Sequence, residues 1–221
     1  MKLSLYSRRC AVILAVASAA LITQAQSKLA ADLDAQSQAR LPYLKKSEVD
    51  AKGQKALEIF FSKDDGTLRG PLAFASYNSG VGQALMDLHN AAVTGGTLDP
   101  HTRELAILVA CRETNYNLEW NGHQAAALKA GIDPKVIEVV RSKRALTGLD
   151  EKDATVIRFG RQLYGDKNVD SATFAKAVEF WGKRGTMDMV AVMNTYAVSG
   201  YFAIAVDEQP AEGKPGLPAV K

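Results

Sequence analysis

Between Asp99 and Ala130 the apolar positions fall at helical rather than alternating intervals. Asp99 and Pro100 make a cap-and-first-turn start, Glu104 follows shortly after, and Leu105, Leu108, Val109 and Arg112 predict a helix with one broad apolar face. Thr114-Asn115 breaks it, a second helix runs from Leu118 to Ala130, and Gly131 ends that one. Asp133-Pro134 opens a third, KVIEVVRS. Upstream, LPYLKKSEVDAKGQKALEIFFS places Val49, Ala56, Ile59 and Phe60 among charges in a helical pattern, and KDDGTLRGPL reads as a loop. A helix from about Val81 to Val93 follows, with Ser79 as its expected N-cap and Gly95-Gly96 as its stop.

Downstream, Asp150 and Ser171 are the expected caps of EKDATVIRFGRQLYG and ATFAKAVEFWGKRG. MDMVAVMNTYAVSGYFAIAV is apolar nearly all round, which predicts a buried helix, at a subunit contact if the protein assembles. Asp188, Asn194, Ser199 and Gly200 mark it as a core helix and not a membrane span. No stretch has the alternation of a half-buried strand, so the expected class is all-α.

The N-terminus changes the charge arithmetic. MKLSLYSRR, CAVILAVASAALI and TQA have the basic, apolar and small-residue order of a cleaved export signal over residues 1–25, which implies a periplasmic location. Ser7-Arg8-Arg9 resembles the opening of a twin-arginine signal, although Cys10 and Ala11 fit that pattern poorly. Cleavage would remove Lys2, Arg8 and Arg9, so the 27 basic residues fall by three to match the 24 acidic ones. No basic stripe argues for nucleic acid, and no cationic face argues for a membrane surface after cleavage. Cys111 becomes the sole thiol, with no partner for an intramolecular disulfide or a dithiol redox pair. Residues 26–40 are a polar leader, 41–207 the expected helical domain, and 208–221 a Pro/Gly-rich tail that reads as disordered or as an arm.

The chemistry concentrates in NYNLEWNGH. On a helix, Tyr116, Glu119, Trp120 and His123 share a face, and Glu104 and Cys111 share one on the preceding helix. If the break folds the two helices together, Glu104, Cys111, Tyr116, Glu119 and His123 can meet in one pocket. Two carboxylates and an imidazole at a dry interface would push their pKa values apart, as proton transfer at neutral pH requires. A Glu/His pair at this spacing is also common as an ordinary surface contact. Glu104, Glu119 and His123 are numerically enough to ligate a metal, but no His-x-x-x-His or cysteine cluster accompanies them, so no metal is expected. Cys111 and Trp120 are ordinary packing residues in the simplest reading, and His101 an unremarked first-turn imidazole. His89 either faces the pocket or caps an interhelical contact.

REL-A-I-L at 103–108, EW-x-x-H at 119–123 and A-x-x-AGI at 127–132 resemble the carboxymuconolactone decarboxylase/alkylhydroperoxidase D-like (AhpD-like) family, with similarity from RLPYL to MNTYAVSGYFAIAVDEQP. The resemblance implies a helical fold whose antiparallel helix pair forms pockets at subunit contacts, in a homo-oligomer such as a trimer or hexamer. In the hydroperoxidase branch a C-x-x-C precedes the histidine; here Tyr116 and Glu119 occupy the two cysteine positions. Peroxide reduction by a dithiol is therefore disfavoured. The resemblance then implies a cofactor-free lyase acting on a small carboxylated lactone or β-keto acid. A hydroperoxide reductase and a non-catalytic ligand-binding protein are the alternatives. In the lyase, His123 handles the proton, Glu119 orients it and Glu104 is a second acid/base or an orienting group. Arg103, His101 and Arg112 are candidates to clamp a substrate carboxylate, with Tyr116 supplying a hydroxyl.

Overall fold

The computed structural model describes residues 32–210 and 216–219; the expected export segment lies outside them. The fold is described for the unit beginning at Asp34. Among the described residues, seven α-helices carry it: α1 (Ala51–Ala56), α2 (Ser79–His89), α3 (Pro100–Glu113), α4 (Asn117–Lys129), α5 (Pro134–Arg141), α6 (Glu151–Arg161) and α7 (Ser171–Ala205). Extended pairing among the described residues is confined to two isolated bridges, Lys45 with Thr67 and Phe61 with Leu68. The all-α expectation holds.

α3 is the central rod, packed against α4, α5, α6 and α7. The sequence predicted one apolar face. Instead, Leu105 through Cys111 are all fully buried and Arg112 is buried with them, because helices surround α3 on every side. α6 comes close to α3 at Gly160. A Cβ there would come within 2.3 Å of a Val109 methyl carbon, so only glycine lets these two helices meet. Asp99 caps α3 by accepting from the Thr102 N–H, as the sequence predicts.

Two expected caps move by one residue. Asn78, not Ser79, accepts from the first-turn N–H groups of α2, and the Ser79 hydroxyl donates to the Asp50 carboxylate instead. Asp170, not Ser171, caps α7 by accepting from the Thr173 N–H. In both cases the residue just ahead of the expected cap has an equally good side-chain acceptor and takes the extended backbone the position needs.

α7 departs from expectation at its middle. The two predicted segments form one helical run, broken at Gly182, whose φ of 65° and ψ of 175° no neighbouring helical residue shares. Glycine enters this region without a Cβ penalty. The limb before the break touches the start of α3, where the Trp181 indole N–H donates to the Thr102 hydroxyl at 3.3 Å. The limb after it lays Met189, Val192, Met193 and Tyr196 into the core. That limb is not buried all round, since Met187, Tyr201 and Ile204 are each more than half exposed. No helix among the described residues is long and apolar enough to cross a membrane.

The segment ahead of α2 builds a small second core. Leu57, Leu68, Leu72, Ala73 and Met86 pack together, with Phe60 and Phe61 against them. Part of the polar leader and the tail join the fold. Ala39 is fully buried, the Arg40 N–H donates to the Val206 carbonyl, and the Leu217 N–H donates to the Asn117 side-chain oxygen at 2.6 Å.

Candidate active site

The turn between α3 and α4 decides what meets what. Asn115 takes a left-handed φ of 53°, which asparagine tolerates better than most residues, and the Tyr116 N–H returns to the Cys111 carbonyl at 2.8 Å. α4 therefore folds back along α3, and Glu104 comes level with His123. Their contact is short: His123 Nδ1 lies 2.7 Å from Glu104 Oε2. On the other side of the ring, His123 Nε2 lies 3.3 Å from Glu119 Oε2, one helical turn back on α4.

The imidazole is thus held between two carboxylates, with the His123 side chain 22% exposed and those of Glu104 and Glu119 still less. Burial works against the charged ring. The hydrogen bonds from Glu104 and then Glu119 outweigh it, and the His123 pKa rises to about 9. At neutral pH the ring is an imidazolium that donates from Nδ1 to Glu104 and pairs through Nε2 with Glu119. Arg103 completes the cluster, its Nε 3.8 Å from the other oxygen of Glu104.

This cluster forms the polar end of a cavity of about 470 Å³. Glu119 and His123 line it, beside Tyr196 of α7, whose ring meets His123 edge-on at 4.9 Å between centroids. His89 and Val93 close another side. The His89 Nδ1 is buried without a hydrogen-bond partner, and burial lowers its pKa below the ordinary histidine value, so the ring is neutral. The facing wall is apolar: Ile59, Phe60, Pro71 and Leu72, from the turns ahead of α2. The hydroxyls of Thr195 and Ser199 also reach the cavity, and each donates back to a carbonyl of its own helix.

The other sequence candidates lie elsewhere. Tyr116, at the N-cap of α4, is buried and lines a separate cavity of about 260 Å³ with Asn115, Leu118 and Glu208. The expected meeting of five groups is therefore one of three, with Tyr116 on the far side of the α4 start. Cys111 is fully buried in the main core, and burial pushes its thiol well above the ordinary value. Trp120 is core, its indole N–H donating to the Gln124 side-chain oxygen at 3.0 Å. The three expected clamp residues are not among those lining the cavity. Arg103 lies 3.8 Å from Glu104 with its buried Nε making no hydrogen bond, Arg112 is buried near the C-terminal end of α3 with Nε and Nη1 unpartnered, and His101 pairs with Asp153 at 2.8 Å beside another cavity. Among the described residues, no group of three or more His, Cys, Asp and Glu side chains is arranged to hold a metal ion.

Sequence reasoning missed Tyr196, Thr195 and Ser199, which sit inside the most apolar helix, and the entire apolar wall. It also missed Glu208, whose carboxyl is pushed up to about 7 by burial and then by the negative charge of Glu119.

Residues 80–161 match the family model of the carboxymuconolactone decarboxylase family, which covers the whole Glu104–His123–Glu119 cluster and none of the apolar wall. No curated protein matches the chain closely enough in sequence to count as a relative. Among solved structures, the chain is similar to an uncharacterized peroxidase-related protein from Silicibacter sp. TM1040, with a TM-score of 0.62 at 17% identity. The superposition covers 86% of this chain and 97% of that one, and at such identity it speaks for the fold alone.

Proposed function

Taking residues 80–161 as a segment of the carboxymuconolactone decarboxylase family, we propose that the protein is a cofactor-free acid–base enzyme that moves a proton at a carbon beside a carbonyl group of a small molecule. The observation that carries this reading is the Glu104–His123–Glu119 relay ending on a cavity. Glu104 and Glu119 hold the ring charged, so a proton is stored at neutral pH in a place largely shielded from water. Glu119 is the member that both lines the cavity and touches the ring. As carboxylate it accepts a proton from the substrate carbon, whose electron pair moves into the carbonyl. The resulting acid returns that proton, or one exchanged for it through His123 and water, to carbon or oxygen, which leaves Glu119 a carboxylate and the ring charged as at the start. The family resemblance implies a lyase, and in decarboxylation the same relay protonates the carbanion that departing CO₂ leaves.

Thiol-based peroxide reduction finds no support in this chain. The attacking species is a thiolate, and Cys111 is fully buried with its thiol held protonated.

Deuterium uptake from D₂O into small ketones and lactones tests the proposal, with CO₂ release from a β-keto acid and consumption of an organic hydroperoxide run in parallel. Wild type catalyses exchange or CO₂ release, and Glu119→Gln and His123→Ala each lower the rate by about 100-fold or more. Cys111→Ala leaves it unchanged. Catalysis that survives intact in both site variants sinks the proposal.

A further inference from the structure

The charges around the cavity cancel. Glu104 and Glu119 are matched by the His123 imidazolium and by the Arg103 guanidinium, which lies against Glu104. His89, the other titratable group with a nitrogen buried at this site, is neutral. No lysine or arginine lines the cavity, and every other lining group is apolar, a hydroxyl or the buried Tyr196 phenol. A carboxylate entering here loses its hydration and meets Glu119 with no cation of its own. An ammonium meets His123 under the same handicap.

We infer that the substrate is an uncharged, mainly apolar molecule with one carbonyl-type acceptor, selected by the wall of Ile59, Phe60, Pro71 and Leu72. The inference rests on the proposed acid–base reading only in taking this cavity as the reactive one. The wall lies outside residues 80–161, the span that matches the family model. It is held by the small second core, in which Leu72 is buried and Phe60 partly so. Ile59 stands on a single turn of 3₁₀ helix, Glu58–Phe60, with 79% of its surface exposed at the cavity rim. An exposed isoleucine over a cavity about 470 Å³ in size is the position where a new charge can be placed without disturbing the core.

The test is direct binding, read without turnover, of three molecules of nearly the same shape. 2-Nonanone is neutral, octanoate replaces its terminal methyl by an anionic oxygen, and protonated 2-aminononane replaces its carbonyl by a cation. Calorimetric titration of the full chain near pH 7.5 should give saturable binding of the ketone, at least tenfold tighter than either ion. In Ile59→Lys the ratio of octanoate to ketone affinity should rise at least fivefold, with an unchanged melting temperature. In Ile59→Asp the amine should gain in the same way. The inference is overturned if either ion binds wild type as tightly as the ketone, if none of the three binds, or if the rim variants leave the ratios unmoved. Ketone selectivity with no proton exchange in any substrate would defeat the acid–base reading and leave this inference standing. Proton exchange confined to carboxylated substrates would do the reverse.

Discussion

Two histidines in this molecule face a carboxylate of another helix at nearly the same distance. His123 lies 2.7 Å from Glu104, and His101 lies 2.8 Å from Asp153. What separates them is everything beyond that bond. His123 has a second carboxylate on its other nitrogen, an edge-on tyrosine ring and a large apolar cavity beside it. His101 sits in the first turn of α3 with its side chain 36% exposed, among helix-capping aspartates whose oxygens already serve backbone N–H groups. One pair joins the two helices of the site, and the other fastens α3 to α6 near solvent. A short histidine–carboxylate contact is therefore a poor marker of chemistry until burial and the second nitrogen are known.

The largest expected effect comes from neutralising the first pair. Glu104→Gln removes the main opponent of desolvation at His123, so the ring pKa should drop from about 9 by about 1–3 units, measurable by NMR titration of the imidazole. Proton transfer near neutral pH should fall with it. Because the folded pKa lies above the unfolded value, the stability this ring contributes is present below about 6.5 and lost as pH rises through about 9. Melting curves of wild type should therefore weaken on the alkaline side, and those of Glu104→Gln should lose that dependence. An unmoved titration would erase the distinction drawn between the two histidines.

Glu208→Gln tests the same lesson from the acid side, with opposite sign. Its carboxyl is raised from 4.5 to about 7 by burial and by Glu119, so ionisation destabilises the fold as pH rises between those values. The glutamine variant should be more stable than wild type above pH 7 by about 1–3 kcal/mol and about equal to it near pH 4. Denaturant melts at the two pH values read this out.

The smallest effect belongs to the outer pair. His101→Ala or Asp153→Asn should cost about 1 kcal/mol or less in a urea melt and change the rate of proton transfer by less than about twofold. A loss of activity comparable to that of His123→Ala would move the reactive centre to the contact between α3 and α6.

Helices and their stops were legible wherever a local signal existed. Asp99-Pro100, Gly131 and Asp133-Pro134 have the expected structural roles because capping is decided within a few residues. The Glu104–His123 contact was legible for a related reason, since a three-residue break between two helices leaves few ways to fold. The apolar wall was not legible. Ile59 and Phe60 read as one face of a helix, whereas the chain there forms a short turn of 3₁₀ helix whose place is fixed by Leu57 and Leu72 meeting across the second core. Tyr196 was hidden in the same way, as one aromatic ring in a run of apolar residues whose facing partners lie on α2 and α4. The clamp expectation failed because charge type says nothing of direction: Arg103 turns to Glu104, and Arg112 points into packed helices.

The break at Gly182 bears on how this protein can vary. In an unbroken helix, inserting one residue rotates everything after it by about 100° relative to everything before. Here the backbone leaves helical geometry at one point, 14 positions before Tyr196. A residue gained or lost ahead of Gly182 should shift the Trp181 limb against α3 while Tyr196, Thr195 and Ser199 keep their bearing on the cavity. The glycine acts as a register joint, allowing the outer limb to drift in sequence and length without dragging the reactive end of the molecule along with it.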